Sequence, residues 1–469
     1  MRIINASAHD LFVDRFEAGP GEAWCLVGTN RSGINTFFKL LAGELSDVKA
    51  DLLELPKNPG VVSFKRQQAL FEEELKKDDT DYLDRIDPGT RAAAFLNNPE
   101  DHGDLIRAFA MADSMDKGYR QLSTGQSRKL MLLAQITRGV ESLVVQAPYE
   151  GLDRTSRDEL DKALAVCHQW GLQLFITIHN RGDLPDWCTH VGGIVNGRMT
   201  HAGPRAEIMD QVEAILRTGP PDFKASIADL VQNGKSSGRD CADDVPSMEL
   251  VRLQKGSAGY DGKPVFSDLD LCIHAHEHTL VTGPNGCGKS TLLQMIMGDH
   301  PACYRNDLRI FGIQRGTGES IWELKQHMGI VSPDLHRNYH VPGNTLHCII
   351  SGLFDSIGLY RRYTPEEEKK AMKWLERTGL AQEALTPFRQ LSYADQRLVL
   401  IARALIKTPR LLILDEATQG LDEPNRLAVL DFLEQVARER LSTILYVSHR
   451  EDEYRTFFTS HLQMSPLTP

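Results

Sequence analysis

The fold is decided by the stretch Gly283-Pro-Asn-Gly-Cys-Gly-Lys-Ser-Thr291. It fits GxxxxGK[ST], the phosphate-binding loop, or P-loop. Apolar residues on both sides predict a buried strand over 279–282 and a helix over 291–297. The glycines let backbone N–H groups wrap phosphates at the N-terminus of that helix. We therefore expect a nucleotide site formed by Gly283, Asn285, Gly286, Cys287, Gly288, Lys289, Ser290 and Thr291.

Two side chains of this loop carry most of the expected chemistry. Lys289 is predicted to reach the β- and γ-phosphates of a nucleoside triphosphate. The hydroxyl of Ser290 is predicted to ligate Mg²⁺, which prefers oxygen ligands. The motif therefore implies ATP and Mg²⁺ as cofactors.

A weaker copy of the motif, Gly28-Thr-Asn-Arg-Ser-Gly-Ile-Asn-Thr36, lies 255 residues earlier. In this copy Ile34 replaces the lysine, Asn35 replaces the serine and Arg31 replaces a glycine. The flanks again predict a strand before the loop and a helix after it. The chain therefore contains an internal repeat whose first copy lacks the charged phosphate ligand.

Further motifs repeat in the same order at offsets of 269 to 270 residues. The pairs are Leu122-Ser-Thr-Gly-Gln126 with Leu391-Ser-Tyr-Ala-Asp395, Leu143-Val-Val-Gln-Ala147 with Leu411-Leu-Ile-Leu-Asp-Glu416, Gly151-Leu-Asp153 with Gly420-Leu-Asp422, and His179 with His449. The apolar strand of the second copy ends in two acids, whereas that of the first copy ends in Gln146 and Ala147.

The composition of the chain argues against several classes of function. The 469 residues carry a formal net charge of −11, which argues against a broad basic surface for nucleic acid. No run approaches 18 apolar residues, and the N-terminus lacks the apolar core of a signal peptide. The 8 cysteines include no CxxC pair for zinc, iron–sulfur or redox chemistry. We expect a cytoplasmic protein with reduced cysteines.

Taken together, these motifs, present twice in one order, resemble the ATP-binding cassette (ABC) superfamily. The resemblance implies the α/β class with two tandem ABC nucleotide-binding domains, each a P-loop core plus a helical subdomain that carries the LSGGQ-like signature. We expect a degenerate cassette over 1–217, a linker over 218–245 and an intact cassette over 246–469. Residues 299–360 look more specifically like a bacterial tandem type that is linked by name to molybdate transport and photorepair.

The resemblance also implies that cassettes pair head to tail, with ATP between the P-loop of one and the signature of the other. One composite site then joins the second P-loop to Ser123, Gly125 and Gln126. The other joins the first P-loop to Tyr393, Ala394 and Asp395. Nearly all the replaced motif residues fall on the composite site of the first P-loop. This distribution favours an intramolecular cassette dimer with one competent site.

Roles for the competent site follow from the same resemblance. Asp415 and Ser290 hold Mg²⁺, Glu416 polarises or deprotonates the attacking water, and His449 hydrogen-bonds the γ-phosphate. Lys289 completes the catalytic set, and Tyr260 is expected to stack on adenine. Cassettes usually carry a glutamine where this chain has Pro333 and, in the first half, Phe64. In such cassettes the glutamine helps to bind Mg²⁺ and senses a membrane partner, so this departure argues against ordinary transport coupling and against fast hydrolysis.

The leading hypothesis is a Mg²⁺-dependent ATPase that serves a separate membrane permease for molybdate or a related oxyanion, at the inner face of the membrane. One alternative is a non-transport ABC ATPase of the translation or DNA-repair type. Others are a regulatory binder that closes on ATP and, less favoured, a tandem sugar-importer ATPase. No nucleic-acid partner is expected.

Overall fold

The computed structural model describes residues 1–29, 32–77, 87–217, 248–260 and 263–467. The chain forms two compact units, the first comprising Met1–Pro220 with Leu421–Asn425 and the second Pro221–Gly420 with Arg426–Pro469. Arg31 and the predicted linker 218–245 lie outside the described residues. The domain boundaries therefore stay a prediction, whereas the α/β class is confirmed.

The first unit is built on a nine-stranded sheet in the order β4-β1-β2-β9-β8-β3-β7-β6-β5. Its central pairs β8-β3, β3-β7, β7-β6 and β6-β5 are parallel, as expected when helices connect the strands. The strands are β1 Arg2–Ala8, β2 Leu11–Glu17, β3 Ala23–Gly28, β4 Leu52–Glu54, β5 Pro59–Val62, β6 Ser142–Gln146, β7 Gln173–Ile178, β8 His190–Val195 and β9 Arg198–Pro204.

Helices pack on this sheet, and an apolar cluster lies on each of its two faces. Cys25 and Val27 of β3 belong to one apolar cluster, while Trp24 and Leu26 belong to another. Alternate residues of a strand point to opposite faces, so both faces of β3 are covered. The helices are α1 Ile34–Leu41, α2 Phe64–Lys76, α3 Gly103–Ala108, α4 Thr124–Ile136, α5 Arg154–Gln169 and α6 Arg205–Arg217.

The described residues of the second unit form two sheets. An antiparallel sheet has the order β11-β10-β13-β14, and a parallel sheet has the order β15-β16-β17-β12-β18. The sequence motifs predicted the parallel sheet but not the antiparallel one. The strands are β10 Glu249–Tyr260, β11 Lys263–His274, β12 Thr279–Thr282, β13 Asp307–Ile310, β14 Ile313–Gln314, β15 Met328–Val331, β16 Leu411–Asp415, β17 Thr443–Val447 and β18 Ser460–Gln463.

Four helices described in the second unit begin at a residue whose side chain caps the helix. Thr364 and Glu367 form a reciprocal capping box around Pro365, the first residue of α11, and Trp374 on that helix is buried against Phe432. The helices are α7 Lys289–Met297, α8 Ile321–Lys325, α9 Pro333–Asn338, α10 Thr345–Ser351, α11 Pro365–Arg377, α12 Tyr393–Leu405 and α13 Glu423–Arg438. None of the helices within the described ranges is long and apolar enough to cross a membrane.

The register of the parallel sheet determines where the motifs meet. Strands β16, β17 and β12 are neighbours and run in one direction, so their carboxyl ends lie at one edge. The P-loop follows β12, Glu416 follows β16, and His449 lies two residues after β17. Ligand sites of open α/β sheets form at this edge.

Candidate functional site

The P-loop depends on glycine at the positions where its backbone has positive φ. Gly283, Gly286 and Gly288 have φ values of 150°, 84° and 97°. A Cβ at Gly288 would lie 2.7 Å from Val265 Cγ1, and one at Gly283 would lie 2.4 Å from a backbone oxygen. Side chains are therefore excluded by conformation and by space at Gly283 and Gly288, and by conformation alone at Gly286. Gly288 is the N-cap of α7, so the helix begins directly from the loop.

Lys289 and Ser290 lie at the start of α7, where helix N–H groups have no intrahelical acceptor. Lys289 is buried, and its Nζ donates to the carbonyl oxygens of Gly283 at 2.7 Å and Pro284 at 2.9 Å. The Ser290 hydroxyl donates to Asp415 Oδ2 at 3.0 Å. A hydroxyl and a carboxylate oxygen side by side are a donor set that suits Mg²⁺.

Glu416 and His449 form the second polar pair at this edge. Glu416 Oε1 lies 3.1 Å from His449 Nδ1, and because a carboxylate only accepts, the ring N–H donates. Burial raises the pKa of Glu416, but the His449 hydrogen bond and the charges of His449, Lys289 and Arg397 outweigh it and hold that pKa below its usual value. Glu416 therefore stays ionised at neutral pH and is available as a proton acceptor.

The backbone at Glu416 is held in a left-handed conformation, with φ 46°. Its N–H donates to the carbonyl of Val447 on β17 at 3.1 Å. Non-glycine residues adopt this conformation at a cost of about 1–3 kcal/mol and cluster at functional sites. The same feature recurs at Ala147 in the first unit, with φ 41° and a bond from its N–H to Thr177 O. The first unit therefore has the same backbone turn, although alanine stands there in place of the glutamate.

Tyr260 and the remaining loop residues lie beside α7. Tyr260 is 50% exposed, and its hydroxyl donates to Gln294 Oε1 on α7 at 3.1 Å. Its ring meets His300 edge-on, so an exposed aromatic surface remains next to the P-loop helix. Cys287 and Thr291 are buried, Asn285 is half-buried and Gly286 is exposed. Adenine stacking on Tyr260 stays a prediction.

The signature of the first unit begins α4 with a complete capping box. Ser123 Oγ accepts from the N–H of Gln126 at 3.1 Å, and Gln126 Oε1 accepts from the N–H of Ser123 at 3.0 Å. Ser123 is exposed and Gly125 is buried, and a Cβ on Gly125 would lie only 3.2 Å from Leu152 Cδ2. The box fixes the start of the helix, where helix N–H groups favour anions.

The signature helix of the second unit has an acidic residue, Asp395, in its first turn, whereas that of the first unit has none. Ser392 Oγ donates to Asp395 Oδ2 at 2.8 Å and accepts from the N–H of Asp395 at 3.2 Å. The serine hydroxyl is therefore bound to a carboxylate. A negative charge at this helix start repels a phosphate, in contrast to the neutral Gln126 of the first unit.

Comparison with known proteins identifies the family. The ABC transporter family profile matches residues 266–419. The ABC transporter ATP-binding protein ModF of Escherichia coli is 33% identical over 454 residues, which cover 95% of this chain and 92% of that protein.

The chain belongs to the ABC transporter ATP-binding protein family. It is similar to ModF along most of the length of both chains. An uncharacterised ABC transporter ATP-binding protein of Schizosaccharomyces pombe is 26% identical and covers 93% of the chain and 91% of its own length. An archaeal ribosome recycling factor, aABCE1, solved with the ribosomal stalk protein aP1, has a TM-score of 0.57 at 17% identity, covering 97% of this chain and 85% of its own. That likeness shows the tandem cassette fold.

In the first ABC cassette, two amides replace the Ser290–Asp415 pair that is predicted to hold Mg²⁺. Asn35 and Gln146 stand at the positions of Ser290 and Asp415, and Gln146 Nε2 donates to Asn35 Oδ1 at 2.8 Å. Ile34, in place of the lysine, is fully buried. Neutral amides paired with each other supply no compensating charge for Mg²⁺ or a triphosphate.

We expect Gln146→Ala to separate structure from activity in this cassette. Losing one partly buried neutral hydrogen bond should lower the free energy of unfolding by about 1 kcal/mol. For a domain of this size that corresponds to a melting temperature about 2–4 °C lower, measured by differential scanning fluorimetry. ATP hydrolysis should stay within about twofold of the parent, since transition-state groups are untouched. A large loss of hydrolysis without loss of stability would show that the first P-loop takes part in turnover.

Arg397 on α12 was missed by the sequence reasoning. This fully buried guanidinium donates to the carbonyls of Ser332 and Gln419, at 3.5 and 3.4 Å, and so joins the segment before α9 to the turn that follows Glu416. Its counterpart Arg128 donates to Pro148 O and Glu150 O in the first cassette. The repeat at an offset of 269 was a signal that could have found it.

Neither cassette has a glutamine at the position where ABC cassettes usually carry one, and the structure shows what stands there instead. Pro333 is the first residue of α9, and Ser332 caps that helix through its side chain. Phe64 begins α2 in the first cassette in the same way, after the cap residue Ser63. Neither side chain offers an oxygen or an amide to a metal ion. Both cassettes therefore lack, at this position, the side chain that usually helps to bind Mg²⁺ in ABC cassettes.

Proposed function

We propose that this protein is a Mg²⁺-dependent ATPase, converting ATP and water to ADP and phosphate, with one competent composite site. The convergence of Lys289, the Ser290–Asp415 pair and the Glu416–His449 pair at one sheet edge carries the proposal. No matching set exists among the described residues of the first cassette, where an amide pair and Ala147 occupy the equivalent positions.

Each residue has a defined task in this mechanism. Lys289 exchanges its two loop carbonyl acceptors for phosphate oxygens, and Ser290 and Asp415 hold Mg²⁺. The bound metal neutralises charge that develops on the phosphates. Glu416 takes a proton from water as the water oxygen bonds to the γ-phosphorus and the bond to the leaving ADP oxygen breaks. His449 donates through Nδ1–H to Glu416 and, with the ring protonated, would donate through Nε2–H to the γ-phosphate.

The other wall of the composite site comes from the first signature in this proposal. Ser123, Gly125 and Gln126 begin a capped helix with no acidic residue in its first turn, which suits a phosphate. The second signature has Asp395 bound to Ser392 instead. An intramolecular cassette dimer would thus combine the favourable signature with the favourable P-loop.

The test of the proposal is phosphate release at saturating ATP, with Mg²⁺ and with excess chelator. We expect steady hydrolysis with Mg²⁺ and background release without it. Absence of hydrolysis with Mg²⁺, in protein shown to bind ATP, would favour the regulatory binder that closes on nucleotide without turnover.

We further propose that the ATPase serves transport of molybdate or a related oxyanion through a separate permease, at the cytoplasmic face of the membrane. Support comes from the similarity to ModF, an ABC transporter ATP-binding protein by name. Affinity purification of the tagged full chain from cells should then recover a membrane permease. Recovery of ribosomes or DNA instead would favour the non-transport alternative, to which the missing glutamine also points.

A further inference from the structure

A buried carboxylate lies behind the Glu416–His449 pair in the second unit. Glu453 is 1% exposed, yet its carboxylate accepts three hydroxyl hydrogen bonds. Thr418 Oγ1 donates to Oε1 at 2.6 Å, while Tyr446 OH and Ser448 Oγ donate to Oε2 at 2.8 and 2.7 Å. A carboxylate is kept in the interior only when such donors replace water.

The three donors lie on the segments that carry the proposed catalytic groups. Thr418 is two residues after Glu416, and Ser448 immediately precedes His449. Tyr446 lies on β17. The residue after it on the same strand, Val447, accepts the hydrogen bond from the Glu416 N–H. One carboxylate therefore joins the turn after β16 to the turn after β17.

Tyr446 remains a hydrogen-bond donor in this network, and two ion pairs of the neighbouring Asp452 border it. Burial and the neighbouring Glu453 carboxylate raise the pKa of Tyr446 well above its usual value, so its phenol remains a donor. Arg426, also buried, pairs with Asp452 at 2.9 Å, and Arg450 pairs with the same Asp452. The residue directly before Glu453 is thus held by two ion pairs.

The first cassette lacks this network, although its backbone is equivalent. Asp183 stands at the position of Glu453 and pairs with Asn180 and Arg157 instead. Ile176 and Ile178 replace Tyr446 and Ser448. Tyr149, at the position of Thr418, donates its hydroxyl to Asp161. The three donors are absent from the cassette that also lacks the catalytic glutamate.

From this contrast we infer that Glu453 is a positioning residue for ATP hydrolysis, which holds Glu416 and His449 at their hydrogen-bonding distance through Thr418 and Ser448. The inference rests on the proposed ATPase function. Glu453 itself lies behind the reacting groups and acts through the two turns.

The test is Glu453→Gln in the full chain, which keeps the shape and replaces one accepting oxygen by a donor. We expect kcat to fall about 10- to 100-fold while KM changes less than about threefold, because displacing catalytic groups slightly costs turnover and leaves ATP binding intact. Ser448→Ala and Thr418→Val each remove one donor and should lower kcat by smaller factors, so the inference stays testable if Glu453→Gln does not fold. Asp183→Asn is the matched control and should leave kcat within about twofold.

Two kinetic results would overturn the inference. One is an unchanged kcat in folded Glu453→Gln protein, and the other is a fall in kcat matched by an equal rise in KM, which indicates lost binding. If the parent itself does not hydrolyse ATP, the proposed function fails separately. A crystal structure of Glu453→Gln then decides: the distance from Glu416 Oε1 to His449 Nδ1 should exceed hydrogen-bonding range, and an unchanged distance refutes the positioning role.

Discussion

Glu416→Gln is expected to reduce steady-state phosphate release at least about 100-fold, because an amide cannot accept the proton that the attacking water loses. The substitution preserves shape, and glutamine can still accept from the ring N–H of His449. ATP binding should therefore persist, and the variant should retain Mg·ATP-dependent thermal stabilisation. Phosphate release and melting temperature, measured on one preparation, check both parts.

A matched control for this substitution lies elsewhere in the same unit. Glu319 has a side chain that is 6% exposed, and it accepts from the N–H groups of Gly316 and Thr317. Glu319→Gln also neutralises a buried carboxylate but leaves the site untouched, so hydrolysis should stay within about twofold. Equal turnover in Glu416→Gln and the parent would sink the assignment of the general base.

Lys289→Ala is expected to remove both hydrolysis and tight binding of Mg·ATP. The Nζ group supplies charge-assisted hydrogen bonds to phosphate, each contributing about 1.5–3 kcal/mol. Losing them should weaken ATP binding by at least about tenfold. Thermal stabilisation as a function of ATP concentration gives the affinity, and phosphate release gives the rate.

Thr36→Ala is the corresponding control in the first P-loop. Its hydroxyl donates to Asp10 Oδ1 at 2.6 Å, an exposed contact that has no counterpart in the catalytic set. Hydrolysis should barely change, as the assignment of turnover to the second P-loop requires. The assignment fails if Thr36→Ala lowers turnover as strongly as Lys289→Ala does.

Much of the fold and the site could be predicted because the decisive constraints are local. The glycines of 283–288 allow the backbone one compact turn, and apolar runs before and after it indicate a buried strand and a helix. The resemblance to ABC cassettes predicted Asp415, Glu416 and His449 near the loop, and the shared carboxyl edge of the parallel strands explains why they lie there.

Other features depend on contacts that spacing does not encode. The amide pair of Asn35 and Gln146 joins residues 111 positions apart, and the sequence showed only two missing ligands. Glu453 is one of many glutamates near a helix or turn, and only its burial against three hydroxyls separates it from the others. The antiparallel sheet of β10, β11, β13 and β14 has irregular register, which blurs the alternation expected of strands.

The central claim is that one of the two P-loops supports turnover, and trapping of ADP by orthovanadate during Mg·ATP hydrolysis counts such sites directly. The parent should trap about one ADP per chain, and Lys289→Ala should trap none, because vanadate captures ADP where the γ-phosphate has just left. Two trapped ADP molecules per chain, or retention of one in Lys289→Ala, would contradict the account.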